Sequence, residues 1–149
     1  SGQHQGLASY RPGQGASSPM TAEALLCRYI LNKSVGPDTL DEARRQMETN
    51  LPSEEQVNLY YWYYGTLAMY QAGGSGWERW NKALKRSLLA LQNRDGDDAG
   101  SWPANGTWGG YGGQVYSTAI ATLSLEVYYR YLPVYQQVAE LEQQPNDRR

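Results

Sequence analysis

The stretch Gly100–Pro133, GSWPANGTWGGYGGQVYSTAIATLSLEVYYRYLP, decides how the rest of the chain is read. It opens as a loop rich in glycine and tryptophan and becomes a helical segment that is apolar on nearly every side. Between Gln114 and Leu132 its only formal charges are Glu126 and Arg130, one helical turn apart. A helix without a polar face belongs inside a larger assembly. The architecture therefore turns on which other segments surround it.

Upstream segments fall into two kinds. PMTAEALLCRYIL, introduced by Ser18-Pro19, has only Glu23 and Arg28 charged and ends near Gly36-Pro37. The run from about Glu54 to Ala72 carries Leu59-Tyr60-Tyr61-Trp62-Tyr63-Tyr64. It lacks the two-residue alternation of a strand and is too long for one, so it is expected to be a helix. These segments resemble the one after Gly113 in being apolar all round. Two-faced helices lie between them. In Asp38–Thr49, Leu40, Ala43 and Met47 share a side. In Trp77–Gln92, Trp77, Trp80, Leu84, Leu88 and Leu91 form a stripe, with Glu78, Arg79, Lys82, Lys85 and Arg86 off it. Asn93–Gly113 is expected as a long loop. A weaker polar helix is expected from Val134 to about Gln144.

The alternation predicts an all-α fold of antiparallel hairpins, with the odd helices forming an inner layer and the even ones an outer layer. An internal repeat supports it. Ala24, Gly65 and Ala121 superpose, and two residues on so do Leu26, Leu67 and Leu123, at unequal offsets (65 − 24 = 41, 121 − 65 = 56). Residues 1–18 are expected as a flexible leader, 19–144 as the helical domain and 145–149 as a loose tail.

Composition excludes several classes. The chain has 149 residues, which makes one domain the default. Its net charge of -2, with 13 basic and 15 acidic residues, offers no footprint for nucleic acid. No segment is long and apolar enough to span a membrane. Cys27 and His4 are the only cysteine and the only histidine, so no metal or cofactor is expected, and Cys27 is expected as a small core residue. Neither fixes the compartment. The 13 Tyr and 5 Trp, with no Phe, mean that most aromatic rings carry a polar atom needing a partner or water.

Gln92–Trp102, QNRDGDDAGSW, resembles the glutamine–tryptophan repeat element of the terpenoid cyclase and protein prenyltransferase fold. Its elements here are Gln92, Gly100, Ser101 and Trp102. GLASY, Gly6–Tyr10, resembles a decayed copy ending a preceding repeat. Most of residues 5–135 resembles squalene-cyclase-like segments at the ends of long bacterial proteins, notably of planctomycetes. The resemblance implies an α/α toroid or a sector of one, here of about three hairpins and five to six helices.

Catalytic equipment is harder to place. Asp95-Gly96-Asp97-Asp98 matches as a string the Asp-x-Asp-Asp acid of hopene-type cyclases. That chemistry needs a protonated acid in a buried apolar cavity, whereas this string sits in a glycine-rich hinge. Counted as a calcium loop from Asp95, its twelfth position is Gly106 where a glutamate is needed. Glu126 with Arg130 reads as a structural ion pair, with a polar group facing a cavity as the alternative. Gly109–Gly113 reads as a flexible loop, since it lacks the spacing of a phosphate cradle. Asn32-Lys33-Ser34 and Asn105-Gly106-Thr107 are glycosylation strings that matter only in a secreted eukaryotic setting.

The aromatic residues offer a different candidate. Tyr60, Tyr61, Tyr64, Trp102, Trp108, Tyr111 and Tyr116 could line a pocket for a small apolar or glycan ligand, or could wedge the hairpins together. The expected function is a non-catalytic helical-repeat interaction or ligand-binding module of a larger bacterial protein. The alternative is a cyclase-like or carbohydrate-active enzyme using Asp95, Asp97, Asp98 or Glu126. The expected partners are the remainder of a longer chain, or further copies meeting through exposed inner-helix flanks.

Overall fold

The computed structural model describes residues 2–31 and 35–130. The expected helix at 134–144, the tail at 145–149 and the string Asn32-Lys33-Ser34 lie outside the described residues. Within them the chain is all-helical: α1 (Ser18–Ile30), α2 (Pro37–Thr49), α3 (Leu59–Ala72), α4 (Gly74–Leu91) and α5 (Gly106–Arg130). No strand occurs among the described residues.

Three boundaries differ from the sequence expectation for physical reasons. Helix α3 starts at Leu59 rather than near Glu54, because the Asn58 side chain accepts the Tyr61 N–H at 3.0 Å and caps the first turn. Gly106–Gly112, expected within a loop, is helical. It is set off from the rest of α5 by Gly113, whose φ of 70° and ψ of -173° leave the helical region. Gly109 is buried in that first segment, where a Cβ would meet the Ala104 backbone at 2.7 Å. At the other helix junction Gly73, with φ 65°, ends α3 and lets α4 begin at the next residue.

Helix α3 is the hub. It packs against each of the other four helices, with its main contacts to α1 and α5, while α2 and α4 cover it from the outside and touch each other. Its buried set is Leu59, Tyr61, Trp62, Gly65, Thr66, Ala68, Met69 and Gln71, and its remaining residues are all half-buried, so no side of α3 is left open to water. Trp62 and Trp80 are its largest anchors, at 1% and 0% exposure. The Trp80 indole N–H donates to Thr66 Oγ1 at 2.9 Å, and the Tyr61 ring meets the Trp80 ring edge-on at 5.5 Å. The N-terminal ends of α1, α3 and α5 meet around one groove lined by Ser18, Pro19, Asn58, Gly106 and Thr107.

Contrary to the expectation from its composition, the segment after Gly113 is not buried on every side. Helix α5 buries one face only, Ser117, Ile120, Ala121, Ser124 and Val127, against α3. Val115 and Tyr129 are 83% and 82% exposed. Apolar character all round told of burial on every side; in the described residues only α3 has neighbours enough to supply it. Cys27 likewise is exposed rather than in the core, because it lies on the side of α1 turned away from α3.

The leader is stitched down. The Glu42 carboxylate accepts the backbone N–H groups of Gln3, His4 and Gly6 at 2.7, 3.1 and 2.7 Å. Arg28 donates to the carbonyls of Gly6 and Gln5 at 2.7 and 2.9 Å.

Candidate functional site

The Gln92–Trp102 element is a hinge tying α4 to α5. Gln92 Nε2 donates to the Gly100 carbonyl at 2.8 Å, and Asn93 and Ser101 pair through backbone and side chain at 2.9 Å each. Trp102, 5% exposed, donates its indole N–H to the Leu88 carbonyl at 2.8 Å and its backbone N–H to Thr118 Oγ1 at 3.1 Å. Gly6–Tyr10 reproduces the last of these contacts: Ala8 N–H donates to Thr21 Oγ1 at 3.1 Å. Thr21 and Thr118 each stand three residues before the superposed Ala24 and Ala121. The two elements therefore hold their inner helices by the same bond.

The aromatic residues divide. Tyr60, Tyr63 and Tyr64 of α3 face Tyr116, Ala119, Ile120 and Leu123 of α5 across a groove of about 290 Å³. This groove adjoins a second, of about 340 Å³, walled by Tyr60, Trp108, Tyr111, Gly112 and Tyr116. Tyr60 and Tyr116 are shared by both and occupy the same repeat position (116 − 60 = 56). Tyr60 stacks obliquely on Tyr64 at 4.8 Å, and Trp108 on Tyr111 at 6.0 Å. Tyr61 and Trp102 are not part of this surface. Tyr61 is buried on the far side of α3 with its hydroxyl donating to the Asn50 carbonyl at 2.7 Å, and Trp102 belongs to the hinge.

Beside Tyr60 stands a carboxylate that sequence reasoning passed over, Glu23 of α1. Burial, reinforced by Glu23 and Tyr64, pushes the Tyr60 phenol well above its ordinary value. Burial next to Tyr64 raises Tyr116 as well. A phenol is already protonated at neutral pH at its ordinary value of 10, so the shift leaves that state unchanged, and the Tyr60 hydroxyl is engaged with Glu23. Glu23 Oε1 and the Tyr116 hydroxyl are buried with no hydrogen-bond partner among the described residues. A signal for Glu23 did exist: the repeat offsets align it with Tyr64 and Ile120, both on the groove (64 − 23 = 41, 120 − 64 = 56).

The loop acids lie elsewhere. Asp95, Asp97 and Asp98 are exposed; Asp97 and Asp98 edge a different depression, with Ser101, Gln114, Val115 and Thr118 and no aromatic ring. Glu126 pairs with Arg130 at 3.0 Å on the α5 surface. The groove at the helix N-termini is larger, about 510 Å³, and three of its polar side chains are already engaged. Asn58 caps α3, the Tyr61 hydroxyl is bonded to the Asn50 carbonyl, and Asn50 Nδ2 donates to the Gln46 carbonyl at 2.8 Å. Among the described residues no three His, Cys, Asp or Glu side chains come together to hold a metal, and no helix is long and apolar enough to cross a membrane. No family model, curated protein or solved structure matches the chain.

Proposed function

We propose that the chain is a non-catalytic helical-repeat module, of the terpenoid-cyclase-like toroid kind, that binds a ligand on the tyrosine-lined groove between α3 and α5. In this reading the module is part of a longer bacterial protein. The observation that carries the reading is the convergence of Tyr60, Tyr64, Trp108, Tyr111 and Tyr116 on one surface, apart from the hinge acids. Aromatic faces with protonated hydroxyls suit a ligand that has apolar faces edged by hydroxyl groups, as a glycan does, or a small apolar molecule.

Trp108, 49% exposed on the groove, supplies the readout. Titrating the chain with soluble oligosaccharides and, separately, a small aromatic hydrocarbon is expected to give a saturable change in tryptophan fluorescence with one class. Tyr116→Ala is expected to weaken that binding about tenfold, the equivalent of about 1.4 kcal/mol. A lack of saturable change with both classes, or an unchanged affinity in Tyr116→Ala, contradicts the reading.

The enzyme alternative gains one specific observation, the Glu23 carboxylate beside Tyr60, one of whose oxygens is buried. Its carboxylate would take the acid or base role that the hinge acids are too exposed to play. Turnover of a bound ligand that is abolished in Glu23→Gln would favour it over the binding module.

A further inference from the structure

The two terminal inner helices expose surfaces that the repeat elsewhere keeps buried. With Ala24 superposed on Ala121 (121 − 24 = 97), α1 buries Thr21, Ala22 and Leu26 at 0%, 0% and 8% exposure. The same positions on α5 are Thr118, Ala119 and Leu123, identical residues in all three cases. There Ala119 is exposed, Leu123 is 36% exposed and Thr118 half-buried. Conversely, α5 buries Ala121, Ser124 and Val127 against α3. Their counterparts on α1 are Ala24, Cys27 and Ile30, one identical and two close in shape. Ala24 is half-buried, Cys27 exposed and Ile30 60% exposed.

Each open flank therefore carries most of the residues of a mated one, with two polar replacements: Thr122 stands where α1 buries Leu25, and Glu23 where α5 buries Ile120. The α5 flank is shaped like the side of α1 that packs on α3, and the α1 flank is shaped like the side of α5 that packs on α3. One chain holds both halves of the same inner-helix contact, left unmade at its two ends. We infer that α5 of one copy docks against α1 of a second copy of this chain, continuing the α1–α3–α5 row from one molecule into the next. The contact is heterologous: it closes a ring if the curvature returns to the start, and otherwise builds an open array. Ala119 and Leu123 also wall the ligand groove, so docking and ligand compete there; association is therefore measured without ligand, which keeps failure of docking distinguishable from failure of ligand binding.

Cys27 offers a direct test, because it is the chain's only cysteine and lies on the α1 flank. Thr122, exposed on α5 one turn beyond Thr118, is on the opposing flank. Under mild oxidation, Thr122→Cys is expected to form an intermolecular disulfide with Cys27 of another copy. The adduct is expected to vanish in Thr122→Cys/Cys27→Ser. An adduct that persists in the double variant, or none in the single one, overturns the proposal. In light scattering, the wild-type mass is expected to rise with concentration, and Ala119→Arg to weaken association about tenfold with its helical content unchanged. A wild-type chain that keeps the mass of one copy up to about 1 mM overturns it too.

Discussion

Gly65 sits where α3 crosses the Trp80 indole, and a Cβ there would run into the ring. The ring cannot retreat, because it is fully buried and its N–H is held by Thr66 Oγ1. Gly65→Ala is therefore expected to destabilise the fold by about 1–3 kcal/mol in denaturant titration, through overpacking. An unchanged midpoint would show that the α3–α4 contact is looser than described. Ala24 and Ala121 take the same repeat position. The small-residue register was legible in the sequence; the reason α3 needs glycine was not, since it depends on a tryptophan from another helix. Glu23 was passed over for a related reason. In α1 it read as an ordinary helical charge, and only its position beside Tyr60 sets it apart.

At the scale of elements, the two-faced helices α2 and α4 were plain from their stripes, because each has one buried face and water on the other. The inner helices were legible as helices but not as equals. An apolar segment records what it can be packed against, not how many neighbours are present, so α3 and α5 read alike although only α3 is surrounded. The leader's attachment to Glu42 and Arg28 runs through its own backbone groups, which leave no sequence signal. Three backbone N–H groups donated to Glu42 hold its carboxyl below the ordinary value of 4.5; partial desolvation, the largest individual influence, acts the other way without reversing the result. With the pKa lowered in the folded state, the attachment is stabilising above pH 4.5 and is lost as pH falls through the lower folded value. Amide exchange at Gln3, His4 and Gly6 is expected to quicken, relative to the intrinsic rate, as the carboxyl protonates. Glu42→Gln is expected to show quick exchange already at neutral pH. Protection that is independent of pH and of Glu42 would contradict this.

Over the whole molecule, α1, α3 and α5 form one row with α3 at its centre, and α2 and α4 cover the outside. The groove and the open flanks both follow from that row. The groove lies where α3 and α5 turn rings of equivalent register to the same side, and the flanks are the places where the row stops. The placement of α3 can be measured without any ligand or partner. In hydrogen–deuterium exchange of the native chain, the α3 backbone from Trp62 to Met69 is expected to be the slowest-exchanging segment, opening only near the global unfolding free energy. The α5 segment from Gln114 to Arg130, with one face covered, is expected to exchange faster. Slower exchange in α5 than in α3 would contradict the account, because it would make α5 the surrounded helix and α3 the edge of the row.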